Sequence, residues 1–455
     1  MNQEIIDKYN VSTPRYTSYP PANYFGLMKS GDYLENVDKS NDATNNNISF
    51  YIHMPFCRRL CHYCGCNSYP MGNSQTVNDY INALHKEIDI VAKHISPNRK
   101  ISQIHYGGGS PTAIATSELK ALNEHLLGLF PTIEHPEIAI ECHPGFLTAQ
   151  QWEELLDCRF NRFSIGVQDT NAKVLKAVNR QEPEIPLREI FNILRSRDVS
   201  INMDFLFGLP HQTPESFAES ISIAKELHPD RLVTFSYGHV PWVFPRQKIL
   251  ETIGLPEPEE KNRMFTLAAQ TLEEAGYNQL GMDHFVLPTD ELYIARQQKM
   301  LRRNFQGYCT RRTTGQVYAF GVSGISQLDD AYAQNGKNIN DYIQTINEGN
   351  LYIQKGYKLS ETEKVVREVV EELMCNYHVD FEAVANNLGL ENAETVKNCC
   401  NYDVAKLNDM ENDGIITING NCITLTDERS PFVRNVAAAI DPMMLNTTRQ
   451  FSKPI

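Results

Sequence analysis

From about residue 48 onward, short apolar runs alternate with amphipathic stretches, and this rhythm constrains the fold more than any other feature of the chain. A strand that reaches the next parallel strand through a helix builds an α/β sheet. The expected strands are Ser49 to His53, Ile101 to Tyr106, Glu137 to Cys142, Arg162 to Gly166, Val199 to Phe207 and Arg231 to Phe235. Strands in this number can curve into a barrel-like sheet. Between the first two, Val77, Tyr80, Ile81, Leu84, Ile88, Val91 and Ile95 fall on one helical face. Further helices are expected at Ser117 to Phe130, Thr148 to Cys158, Pro214 to Leu227 and Pro258 to Ala275. In sheets of this kind, ligands bind beyond the carboxyl ends of the strands.

The alternation stops near residue 357, which divides the chain into three expected regions. Residues 1–45 form a polar extension with the segment PRYTSYP at 14–20, followed by SNDATNNN at 40–47, read as a flexible loop. Residues 46–356 form the barrel. Residues 357–455 form a mainly helical domain of winged-helix style, with a helix at Glu361 to Asn376, then DFEAVANNLGL and the apolar hairpin IITINGNCITLT. A formal charge of -14 excludes a polyanion as the main partner, so no nucleic acid is expected. No run of about 18 apolar residues appears, so no membrane span is expected either.

Four of the eleven cysteines crowd between residues 57 and 66. With a polar amino terminus, this pattern fits a metal site in a reducing cytosol, and a cytoplasmic location is expected. The expected strand SFYIH runs into CRRLCHYCGC, which places Cys57, Cys61, Cys64 and Cys66 on one irregular loop. Thiolates so close together can wrap an iron–sulfur cluster. Three ligands would leave one iron open to chelation. The competing reading is a structural zinc ion held by Cys57, Cys61, Cys64 and either Cys66 or His62. Zinc usually draws two separate ligand pairs, and no second pair lies nearby in sequence.

At these cysteines the chain resembles the radical S-adenosylmethionine (SAM) superfamily. The pattern CxxxCxxCxC narrows the resemblance to the oxygen-independent coproporphyrinogen III oxidase (coproporphyrinogen dehydrogenase) family. It extends through PRYTSYP, YIHMPFC at 51–57, GGGSPT at 107–112, IGVQD at 165–169 and DFLFGLPHQTPESF at 204–217. It continues through GMDHF at 281–285, RNFQGY at 303–308, GVSGIS at 321–326 and AYAQN at 331–335.

The resemblance implies a partial (β/α)6 radical SAM barrel, with the extension at 1–45 capping the active site. Cys57, Cys61 and Cys64 would ligate a 4Fe-4S cluster, with Tyr51, Tyr63, Gly108 and Glu141 contacting the SAM bound to it. A second SAM would meet Gly109, Ser110, Gln168, Arg180, Asp204, Gly238 and Ile325, on strands away from the cluster loop. Cys66 would stand at the active site without ligating the cluster, and Tyr51 would shield the first SAM. At 141–144, ECHP stands where EVDP is frequent, and His143 is read as structural.

The implied reaction is oxidative decarboxylation of two propionates of coproporphyrinogen III, giving protoporphyrinogen IX in heme biosynthesis. It would consume two SAM through 5'-deoxyadenosyl radicals. A flavodoxin or ferredoxin would supply electrons to a monomeric enzyme. Arg15, Arg303, Phe305 and Gln306 are the expected substrate contacts, and Tyr16 and Tyr19 either pack on the macrocycle or staple the extension to the barrel. Two rivals are a heme-binding chaperone, which usually has an aromatic at the Cys66 position and lacks PRYTSYP, and a radical SAM heme-degrading methyltransferase.

Overall fold

A computed structural model describes residues 3–310, 316–427 and 430–452. Six consecutive parallel strands form its centre: β1 (Asn47–Met54), β2 (Lys100–Gly108), β3 (Thr132–Cys142), β4 (Arg162–Gln168), β5 (Ser200–Phe207) and β6 (Arg231–Ser236). These are the six strands expected; five run one to several residues further, and the fifth starts one residue later, at Ser200. Their interiors are almost fully buried, because a parallel sheet covered by crossover helices has no solvent face.

The sheet is larger than the sequence reading. On the β1 side it gains the parallel strand Gln316–Phe320, then the antiparallel strands Ile325–Gln327, Ala331–Asn335 and Ile353–Lys358, and finally Gly26–Leu27. Beyond β6 come His284–Val286 and Asn278–Leu280, both antiparallel. These added strands are short, and several pair as local antiparallel hairpins, which the strand–helix rhythm does not show.

Helices Ser74–Ala92, Thr116–Leu129, Ala149–Asp157, Pro214–Glu226 and Pro258–Glu274 cover the sheet where the apolar periodicity placed them. Asn73, Thr148 and Thr213 each accept a hydrogen bond from the backbone N–H three residues on, which satisfies a donor the first helical turn leaves free. Two further helices, Ala172–Ala177 and Leu187–Arg195, connect β4 to β5.

A second buried cluster holds the helices Glu361–Asn376, Phe381–Leu388, Ala393–Cys399, Val404–Asn412 and Val433–Ile440 around a three-stranded antiparallel sheet. The hairpin Ile416–Asn419 with Cys422–Leu425 supplies two of those strands.

Two expectations about the first 45 residues are corrected. Tyr16 and Tyr19 are buried in this second cluster, which the staple reading does not include, and both donate to Asp441, at 2.9 and 3.0 Å. Segment 40–47 is not simply a loop: Ser40 is buried, closes a short 3-10 turn with Asn41 and Asp42, and accepts at its carbonyl from Arg99 Nη1 (2.6 Å). Polar residues hid this role, because a buried arginine selects backbone carbonyls, which composition does not display.

Candidate active site

The cysteine loop leaves the end of β1 and is pinned at both ends by backbone hydrogen bonds. Tyr69 N–H donates to the Pro55 carbonyl (2.7 Å) and Met71 N–H to Cys57 (2.8 Å), while His62 N–H donates to Val178 (3.0 Å). Asn179 carries φ of 58° and donates its side chain to the Leu60 carbonyl (2.8 Å). An irregular loop held in this way keeps its side chains in fixed positions without regular structure.

One cavity at the carboxyl ends of β1 to β5 is lined by Cys57, Cys61 and Cys64, together with Cys66, Tyr63, Gly108, Gly109 and Ser110. Glu141, Gln168, Arg180 and Asp204 complete the expected residues that line it. The glycines are shaped by close approach. Gly108 has φ of 114°, and a Cβ there would fall within 2.8 Å of the His53 ring. A Cβ at Gly109 would lie 2.9 Å from the Pro55 oxygen and 3.0 Å from Cys57 Sγ. Nothing larger than glycine fits against the cysteine loop.

The thiols differ in character. Burial pushes Cys57 up to about 12. Hydrogen bonding from Cys66, including its backbone N–H at 3.4 Å, draws Cys64 down to about 6. Cys61 receives Arg180 Nη1 at 3.5 Å. None of the four is in a disulfide. Among the described residues no three histidine, cysteine or acidic side chains come together tightly enough to hold a single ion. Cys57, Cys61 and Cys64 line one cavity, and thiolates are the ligands that a four-iron cube takes.

The acidic side of the cavity is built on neighbouring strands. Glu141 accepts from His105 Nε2 at 3.2 Å, and Gly107 leaves room for it, since a Cβ there would fall 2.7 Å from Glu141 Oε1. Asp204 accepts from Ser164 Oγ at 2.7 Å, and burial holds its carboxyl up at about 6. Tyr51 stacks on His105 with ring centroids 6.0 Å apart and shares a 3.1 Å hydrogen bond with His53. It stands behind the cavity rather than in its lining.

Three placements depart from the expectations. Arg180 is not remote from the cluster loop: its Nη2 donates to the Gly166 carbonyl and its Nη1 to Tyr63 Oη (3.1 Å) as well as to Cys61. Gly238 is exposed and absent from the lining; Ile325 packs with Phe25, Tyr332, Leu359 and Phe305 instead. Arg303, Phe305 and Gln306 sit in and beside the hairpin of Leu301–Asn304 and Gly307–Thr310, outside this lining, and Arg15 is exposed. Sequence reasoning did not single out His53, His105 or Ser164, whose only local signal is their position on β1, β2 and β4. His143, read as structural, stands in the cavity wall.

The radical SAM superfamily model matches residues 51–224, which span the loop and the cavity. Oxygen-independent coproporphyrinogen III oxidases from Synechocystis sp. and Escherichia coli are 34% and 35% identical, each aligned over 99% of this chain and 97% and 98% of their own lengths. The chain belongs to the oxygen-independent coproporphyrinogen III oxidase family. The solved coproporphyrinogen III oxidase (HemN) of Escherichia coli, a radical SAM enzyme, superposes with a TM-score of 0.87 at 32% identity, covering 97% of this chain and 98% of that one. As a member of this family, the chain is a radical SAM oxidoreductase, and the family implies a 4Fe-4S cluster and SAM. Among the described residues no helix is long and apolar enough to cross a membrane.

Proposed function

We propose that this chain decarboxylates two propionates of coproporphyrinogen III to vinyl groups, without oxygen, and yields protoporphyrinogen IX. The observation that carries this reading is that Cys57, Cys61, Cys64, Gly108, Glu141 and Asp204 share one cavity in a chain that matches coproporphyrinogen III oxidases end to end. When bound, the reduced cluster and SAM supply the radical that takes a hydrogen atom from the propionate.

The chain's own residues hold and shield that chemistry. Cys57, Cys61 and Cys64 would hold the cluster and leave one iron free. Glu141 and Asp204 offer carboxylate acceptors to ribose hydroxyls or an amino group, while Arg180 presents positive charge. Acceptors and cations on one wall can serve a second SAM beside the first, with Gly109, Ser110 and Gln168 completing that side. Cys66 stands exposed beside Cys64, at the cavity, outside any disulfide, and would take a role in the reaction.

Substrate carboxylates need local cations in an acidic protein. Arg303 supports this role: its Nε and Nη1 are buried and find no acceptor, and its guanidinium lies 5.2 Å from the Tyr308 ring centroid. Arg15 and Arg303 both act electrostatically on Asp283 and Arg434, so the extension and the hairpin face one another. Phe305 and Gln306 on that hairpin would line the same approach, with residues 1–45 closing over it. A flavodoxin or ferredoxin would reduce the cluster, and the enzyme would act as a cytoplasmic monomer.

Anaerobic reconstitution tests the reading. About four irons per chain and a broad visible absorption that air destroys are expected, followed by SAM-dependent formation of protoporphyrinogen IX from coproporphyrinogen III. Stoichiometric zinc without iron, or iron-loaded protein that leaves coproporphyrinogen III unchanged, refutes it.

A further inference from the structure

His143 stands in the wall of the cavity, and its two ring nitrogens are unequal. Nδ1 accepts the Gly145 backbone N–H at 3.0 Å, a bond that only an unprotonated nitrogen can accept. The ring proton of the neutral imidazole must then sit on Nε2. That nitrogen is buried and has no hydrogen-bond partner. Burial and the charge of Arg180 hold the ring far below its usual range, at about 2, so it remains a neutral donor. A buried donor without an acceptor is destabilising, and a structure tolerates one where a ligand supplies the acceptor.

The surroundings narrow the choice of acceptor. Arg180 and Arg59 line the same cavity and act on His143 electrostatically, and Glu141 and Asp204 line it as well. The cavity therefore offers donors, from the two arginines and His143, together with carboxylate acceptors. A ligand carrying both a carboxylate and ribose hydroxyls would orient its carboxylate toward the cations. We infer that His143 contacts ligand directly, its Nε2–H donating to the carboxylate of the SAM molecule held beside Arg180. This rests on the SAM-binding reading above and assigns to one residue a contact the reading did not contain.

Equilibrium binding of SAM and of 5'-methylthioadenosine, which lacks the amino-acid carboxylate, to anaerobically reconstituted protein tests it, with iron content as control. His143→Phe keeps a ring and removes the donor; it should weaken SAM at one site at least tenfold and leave 5'-methylthioadenosine unchanged. His143→Gln places an amide N–H near the Nε2 position and should bind SAM within about threefold of wild type. Unchanged SAM affinity in the phenylalanine variant overturns the assignment. So does equal weakening of both probes, which would place the contact at the adenosine end, or a glutamine variant as weak as the phenylalanine one. If the phenylalanine variant loses iron, His143→Leu takes its place under the same readings, and iron loss in both makes His143 a support of the loop and overturns the contact. Wild-type protein that binds iron and SAM but does not convert coproporphyrinogen III fails the reading above and leaves this contact standing; wild-type protein that binds no SAM overturns both.

Discussion

Asp204 can accept a hydrogen bond from a ribose on both oxygens only when ionised, and burial raises its carboxyl to about 6 although Ser164 donates to it. The raised value means that the neutral form gains population as pH falls through about 6, where an exposed aspartate would still be charged. SAM affinity should therefore be flat above pH 7 and fall by up to about tenfold per unit below 6. Asp204→Asn should remove the dependence and bind weakly throughout, as anaerobic binding isotherms between pH 5 and 8 would read. Cys66 gives a second expectation at this scale. It is exposed, and both its thiol and its backbone N–H, the latter at 3.4 Å, hydrogen-bond to Cys64. Cys66→Ser should retain about four irons and some SAM cleavage while losing porphyrinogen decarboxylation. Iron loss as deep as in Cys61→Ser would make Cys66 a ligand.

Elements meet the loop through buried polar groups that no pattern of apolar residues reveals. Glu87, on the helix Ser74–Ala92, is fully enclosed and accepts from Gly321 N–H, Tyr342 Oη and Asn335 Nδ2, each at 2.7 Å. Gly321 has φ of 90°, and a Cβ there would fall 2.3 Å from Tyr80 Oη, whose hydroxyl donates to the His53 carbonyl at 2.8 Å. The segments GVSGIS and AYAQN thus act here as an anchor between a covering helix and the end of β1, next to the cysteine loop. Glu87→Ala would leave the Gly321 N–H and the Tyr342 hydroxyl without an acceptor and take one of two acceptors from Asn335 Nδ2, at a cost of about 3 kcal/mol or more. Anaerobic denaturant unfolding should show that loss, and Glu87→Gln, which keeps one acceptor oxygen, should lose less.

Across the whole molecule, the first residues belong to two cores. Gly26–Leu27 joins the edge of the large sheet, while Tyr9, Tyr16 and Tyr19 are buried among the carboxy-terminal helices. Asp441 receives both Tyr16 and Tyr19, and Arg434 donates to the Pro14 carbonyl at 3.1 Å. Asp441→Ala removes two hydrogen bonds to a buried carboxylate, each contributing about 1.5 to 3 kcal/mol. Limited proteolysis should then cut the first 20 residues at least tenfold faster, with iron content unchanged. Equal cutting rates would show that packing alone holds the segment. The sequence by itself determined the six parallel strands, the helices over them and the loop carrying Cys57, Cys61 and Cys64, because apolar periodicity and ligand spacing are local properties. Only the tertiary structure decided that Arg180 reaches Cys61, that Ile325 packs beside Phe305, that Tyr16 and Tyr19 serve the carboxy-terminal core, and that His143 enters the cavity wall. Each of those depends on which distant donor meets which acceptor, and that choice is fixed by how the chain packs, not by any residue's neighbours in sequence.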